Sequence, residues 1–136
     1  MAVAEQFTVR SPQEIIVGWG AIGELGKLTA GLGKRPMLVV GGGSLRKSGR
    51  LDAIVRELEA LGLHVTVFER IEHDPSTGTI DRGRKEFLAA SCDCLVAIGG
   101  GSAMDAGKAI AGLSGETAPT ADFVRGAWHL PAVTPE

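Results

Sequence analysis

Two stretches of bare backbone, Gly41-Gly42-Gly43-Ser44 and Gly99-Gly100-Gly101-Ser102, are where this chain could do chemistry without side chains. Consecutive glycines leave no Cβ between main-chain amides and a ligand. A helix beginning at Ser102 would add unbonded N–H groups and the positive end of its dipole. Such a seat suits an anion, phosphate above all. Each run follows an apolar segment, Met37 to Val40 or Leu95 to Ile98, so each reads as the loop leaving a buried strand. Two such loops imply one extended ligand, a multi-phosphate or a dinucleotide.

Ser102 and Asp105 also have the spacing of a capping box, which would explain both residues without a ligand but not three successive glycines. Asp105 has two readings: it faces the ribose or nicotinamide side of a cofactor or another cation, or it pairs with Lys108 one turn on. The dinucleotide fingerprint G-x-G-x-x-G needs glycine where Met104 stands, and the P-loop needs glycine at Ser102 and Ser or Thr at Ala109, so neither framework applies. Gly41 to Ser44 is either a tight turn or a second phosphate seat. Arg46 and Lys47 follow it, and Gly42 takes the place of an acid that would bind a ribose 2′-hydroxyl and repel a 2′-phosphate. That combination predicts NADP over NAD; the alternative leaves both cations as solvated ends. His64, His73 and His129 lack paired spacing, and Cys92 with Cys94 lacks a second pair, so no metal centre is expected in this chain.

The elements that must hold these loops show in the periodicity. Met37–Val40, Leu63–Glu69 and Cys94–Ile98 read as strands. Between them lie helical patterns, one from about Gly49 to Leu61 with Leu51, Ile54, Val55, Leu58 and Leu61 inward. The next follows the turn Asp74-Pro75-Ser76-Thr77-Gly78 and runs to about Ser91, with Ile80, Phe87 and Leu88 inward; the last spans Ser102 to about Leu113. An earlier helix, entered through Gly18 to Gly23 and ending near Leu32, should bury Ile22, Leu25 and Leu28. Phe7–Arg10 and Glu14–Val17 are expected to pair at a sheet edge. Ala121 to Arg125 should form one helical turn, Trp128–Val133 resembles an incoming strand, and Trp19 and Trp128 read as packing residues. The alternation predicts an α/β fold: a doubly wound, mostly parallel, Rossmann-like sheet with helices on both faces, in a single domain. Right-handed crossovers put the carboxyl ends of the strands on one rim, so both glycine loops open toward one place.

Composition narrows the partners. The 136 residues suffice for one domain that buries roughly two-thirds of its unfolded surface. A net charge of −2 offers no basic excess for nucleic acid or acidic lipid, and 4% aromatic residues with no Tyr give no stacking platform for single strands. Two cysteines, no leader-like start and no apolar run of ~20 residues lead to the expectation of a cytoplasmic protein with no membrane partner.

The stretch Gly99-Gly100-Gly101-Ser102-x-x-Asp105-x-x-Lys108-x-Ile110-Ala111 resembles the cofactor signature of the iron-containing (group III) alcohol dehydrogenases, relatives of glycerol dehydrogenase and dehydroquinate synthase. Ile15-Ile16-Val17-Gly18-Trp19-Gly20, the strand into Gly41, Ser48-Gly49 at a helix start and the Pro75 turn extend the likeness over nearly the whole chain. The resemblance implies that residues 1–136 are the amino-terminal dinucleotide-binding domain, half of a two-domain enzyme. Gly99, Gly100, Gly101 and Ser102 would then hold the pyrophosphate, with Asp105 near the cofactor's reactive end. The run Gly41, Gly42, Gly43 and Ser44 is similar to NADP-dependent butanol-dehydrogenase-like members, where NAD-preferring ones carry an Asp. In the family, Fe2+ or Zn2+ is bound by one Asp and three His of a helical domain absent from this chain. The implied substrate is a small alcohol or aldehyde, and a homodimer is compatible. Asp74-Pro75-Ser76 departs from the usual Asn-Pro-Thr, which removes support for a cofactor contact at Asp74, and Gly107 replaces a usual Ala, a minor change expected to loosen the helix. Two other readings stay open: a stand-alone dinucleotide- or phosphate-binding module without catalysis, and a lyase like dehydroquinate synthase. The apolar segment before Glu136 reads as the start of something further, as in a truncated or half-length protein.

Overall fold

In the computed structural model, which describes residues 12–127, three strands form one parallel sheet. β1 (Pro36–Gly41) lies in the middle, between β2 (Thr66–Ile71) and β3 (Cys94–Ile98). β1 is apolar on both sides because both its faces are covered. Met37 and Val39 pack with Phe68, Ile80, Ala106 and Ile110, whereas Leu38 and Val40 pack with Leu51, Ile54, Leu58 and Leu63. The first layer belongs to α4 (Thr77–Ala89) and α5 (Gly101–Leu113), the second to α3 (Arg50–Ala60) with α1 (Leu25–Leu32) beside it. The doubly wound architecture with helices on both faces is therefore the observed one.

From β1 the chain passes through α2 (Ser44–Lys47) and α3 to β2 on one side, and from β2 through α4 to β3 on the other. The winding reverses between β1 and β3. In open α/β sheets the crevice outside the carboxyl ends at such a reversal is where ligands bind.

Local chemistry fixes the helix ends. Gly49 opens α3 at φ +74 and Gly62 follows it at φ +77, a left-handed conformation that glycine adopts without steric cost. Ser76 caps α4 by accepting a hydrogen bond from the Thr79 amide at 3.2 Å, so the turn expected to reach Gly78 is already helical at Thr77. Arg84, buried on α4, donates to the Leu113 carbonyl at 2.9 Å, the Ala118 carbonyl at 3.0 Å and the Glu116 carbonyl, and pairs with Asp81 at 2.9 Å. Asp81 also accepts from the Thr120 amide and hydroxyl at 3.0 and 2.7 Å, which hold its carboxyl below the usual range. This network ties the end of α5 and the start of α6 (Thr120–Ala127) to α4.

Several expectations need correction. On α1 the buried residues are Gly26 and Thr29, not Ile22 and Leu28, because the Thr29 hydroxyl satisfies itself on the Leu25 carbonyl at 2.7 Å and can turn inward. Leu63–Val65 precedes the ladder rather than joining it. Trp19 is fully exposed, and Glu14–Val17 is irregular and exposed instead of forming a strand. Leu61 and Leu88 are also exposed. The strands expected at Phe7–Arg10 and Trp128–Val133 lie outside the described residues, as does Trp128. Among the described residues no helix is long and apolar enough to cross a membrane.

Candidate functional site

The two glycine runs end neighbouring strands. β1 and β3 pair in register from Pro36 with Cys94 to Val40 with Ile98, so the chain leaves the sheet at Gly41 and Gly99 side by side. A Cβ built on Gly99 would lie 3.6 Å from the Gly41 amide nitrogen and 3.0 Å from the Ala103 Cβ; one built on Gly41 would lie 3.2 Å from that same methyl. Ala103, buried on the first turn of α5, is thus the small residue on which both loops close. The sequence reading passed over it. Gly99 has φ +147, which calls for glycine, and Gly42 and Gly43 have φ +62 and +75, a left-handed path that glycine takes freely and aspartate tolerates better than most residues.

A cleft of about 560 Å³ opens above this junction, lined by Gly41, Gly42, Ser44, Gly99, Gly100, Gly101, Ser102 and Asp105 from the expected set. The opposite wall is Ile71 with His73, Asp74 and Pro75, of which Ile71 carries no expectation from sequence and His73 figures there only as a histidine without paired spacing. Gly43 does not line this cleft; it lines the adjoining cavity described below. α5 begins one residue earlier than expected, with Gly100 as its N-cap and no side-chain cap bond. The Ser102–Asp105 capping box is therefore not formed: Ser102 already lies inside the helix. Asp105 instead pairs with Lys108 at 3.3 Å, both side chains largely exposed. Among the described residues, the leading amides of this 13-residue helix thus have no side-chain acceptor at the floor of a cleft. Cβ atoms on Gly100 or Gly101 would meet nothing within 4 Å, so the space above these amides is open to a phosphate.

The 71–76 wall is held by Glu72. Its carboxylate accepts from the Ser76 amide and hydroxyl, each at 2.9 Å, and from the Thr79 hydroxyl at 2.6 Å. These bonds, Thr79 first, lower its pKa from 4.5 to about 2. Asp74, inside the knot, sits at φ +54, an uncommon conformation that aspartate tolerates better than most residues.

A second cavity, about 430 Å³, adjoins the cleft and shares Gly41, Gly42 and Ile71 with it. It is lined by Gly43, Arg46, Lys47, Glu69 and Arg70 over an apolar floor of Val40 and Leu51. A β-bulge builds it: Val39 pairs with Phe68 but Gly41 with Ile71, so β2 carries one extra residue, and Arg70 absorbs it at φ +66. Phe68 and Ile71 consequently share the α4/α5 layer, and Glu69 and Arg70 are both released toward the cavity. A left-handed conformation costs a non-glycine residue about 1–2 kcal/mol, and it occurs here at the rim of a candidate site. Arg46 is exposed, as a solvated end would be, but it is not without partners. Its guanidinium binds Glu69 at 2.6 and 2.7 Å and Asp52 at 3.1 Å, contacts that raise its pKa, Glu69 foremost. Lys47 has no ion pair among the described residues. Gly107, the change that read as minor, is needed: a Cβ there would stand 2.7 Å from the Ala97 Cβ and 3.1 Å from Leu95 Cδ2. Among the described residues no three His, Cys, Asp or Glu side chains converge as a metal site requires.

Adjacent glycine loops at a winding reversal, an uncapped helix and a joined pair of cavities lie where proteins of the open α/β class bind their ligands. The sequence model for iron-containing alcohol dehydrogenase matches residues 12–135, and the chain belongs to that family. It is 37% identical over 99 residues to an NADPH-dependent butanol dehydrogenase of Clostridium saccharobutylicum, covering 73% of this chain and 25% of that protein. A probable NADH-dependent butanol dehydrogenase of Bacillus subtilis is 35% identical over 107 residues, 79% of this chain and 28% of its own length. The crystal structure of NADH-dependent butanol dehydrogenase A from Thermotoga maritima superposes with a TM-score of 0.75 at 25% identity, over 87% of this chain and 30% of that one. The chain thus spans about a quarter of the length of the curated relatives it matches.

Proposed function

We propose that residues 1–136 form the dinucleotide-binding domain of an NAD(P)-dependent, metal-assisted alcohol or aldehyde oxidoreductase, with the 2′-phosphorylated coenzyme preferred. The observation that carries this reading is the meeting of both glycine loops at one cleft above the unbonded amides of α5. When bound, the nicotinamide supplies hydride chemistry to a small alcohol or carbonyl substrate. The chain's own residues bind and orient it. The amides of Gly100 to Ser102 take the diphosphate, where charge-assisted hydrogen bonds and the helix dipole both favour an anion. Gly42, having no side chain, leaves room at the ribose 2′ position, and Lys47 adds positive charge nearby. Asp105 lines the same cleft in partnership with Lys108, which supports assigning it to the nicotinamide side of the coenzyme. The metal ligands and the walls that select a substrate belong to residues other than those described.

Calorimetric titration of the chain with NADPH and NADH tests this. Both should bind saturably, NADPH more tightly, and Gly42→Asp should weaken NADPH about tenfold while sparing NADH, by setting a carboxylate against the 2′-phosphate. A folded chain that binds neither coenzyme would overturn the reading.

A further inference from the structure

We propose that Glu69 sets the discrimination between a 2′-hydroxyl and a 2′-phosphate on the adenosine ribose, by holding Arg46 in an ion pair that the phosphate must displace. This rests on the dinucleotide reading above and adds the residue that limits its selectivity.

Three observations converge. The cavity beside Gly41, Gly42 and Gly43 continues directly from the cleft assigned to the diphosphate, so an adenosine leaving that cleft enters it. Three cations, Arg46, Lys47 and Arg70, and a single carboxylate, Glu69, line it, the charge pattern of a site for a dianion with one built-in competitor. The competitor is engaged: Glu69 takes Arg46 through both oxygens, Nε to Oε1 at 3.0 Å and to Oε2 at 2.7 Å, with Nη2 to Oε2 at 2.6 Å. Arg46 Nη1 turns to Asp52 at 3.1 Å, on the far side of the guanidinium.

The bulge at Arg70 makes the arrangement specific. Regular alternation from Phe68 would send Arg70 into the apolar α4/α5 layer and leave Glu69 alone facing α3; the inserted residue returns Ile71 to that layer and brings both charges to the cavity. A planar guanidinium fork suits a phosphate as well as a carboxylate. A 2′-phosphate therefore gains Arg46 only at the loss of its bond to Glu69, and it approaches a carboxylate of like charge. A 2′-hydroxyl meets neither penalty. Glu69 accordingly narrows the preference for the phosphorylated coenzyme that the glycines and cations create.

The experiment compares wild type, Glu69→Gln and Arg46→Met in calorimetric titrations with adenosine 2′,5′-bisphosphate, adenosine 5′-monophosphate, NADPH and NADH, with thermal melting to verify folding. Glu69→Gln should tighten the bisphosphate and NADPH about five- to tenfold, and change the monophosphate and NADH by less than about twofold. Arg46→Met should weaken the first pair by a similar factor and spare the second. Equal effects on both pairs, or none, in folded variants overturn the proposal. A wild type that binds no nucleotide overturns the dinucleotide reading instead, so the two failures are distinguishable.

Discussion

The two ends of the parallel sheet treat their backbone amides in opposite ways. Before the strands begin, the amides of Lys34 and Arg35 both donate to the carboxylate of Asp93, each at 2.8 Å, and the Arg35 guanidinium closes on the Ala90 carbonyl at 2.9 and 3.2 Å. Backbone bonds from His64 to Lys34 and from Asp93 to Arg35 complete that rim. Where the strands end, both glycine loops line an open cleft instead. At the first rim the amides have an anion tethered to the chain, and at the second the proposed function supplies one from outside. A tethered carboxylate serves folding, and amides without one are those the proposed function assigns to binding.

The contrast breaks most readily at Gly100. Its backbone is extended and a side chain there meets no neighbour, so Gly100→Val should fold as well as wild type. The branched side chain would stand over the amides and cost one or two charge-assisted hydrogen bonds, weakening NADPH about 10- to 100-fold in calorimetry. An unchanged affinity with a lowered Tm would place Gly100 on the folding side of the comparison. Asp93→Ala should do the reverse, lowering the Tm in thermal melting while leaving coenzyme affinity as it was; a matching loss of affinity would show that the rims are not separable.

The smallest effect is a pH dependence. The bonds to Glu72 place its folded pKa, about 2, below the ordinary 4.5, so this group stabilises the fold above pH 4.5 and loses that contribution as pH falls toward 2. Asp93 shifts in the same direction, through the amides of Lys34 and Arg35. Melting curves between pH 4.5 and 2 should fall less steeply for Glu72→Gln than for wild type; parallel slopes would remove Glu72 from the account.

What was legible in the sequence follows from the range of the forces involved. Buried parallel strands must be apolar on both faces, so Met37–Val40 and Cys94–Ile98 announced themselves, and the glycine runs at their ends marked the cleft. The Arg84 network was not legible, because its partners lie 29 to 36 residues away apart from Asp81. Nor was the bulge: one inserted residue leaves Val67, Phe68 and Ile71 looking like an ordinary strand and hides the meeting of Glu69 with Arg46 across 23 positions. Ser102 misled because cap spacing recurs wherever a helix begins, and the structure starts α5 two residues too soon for serine to cap it. Trp19 misled because bulk was equated with burial.

Gly107 carries a consequence for how the site receives its guest. With no methyl group at that point, α5 rests directly on Ala97 and Leu95 of β3. Contact that close leaves α5 little room to shift against β3, and so favours a fixed aim for its leading amides. On the proposed reading, a coenzyme would meet a receptor already shaped there, sparing association the entropy of ordering that part of the protein.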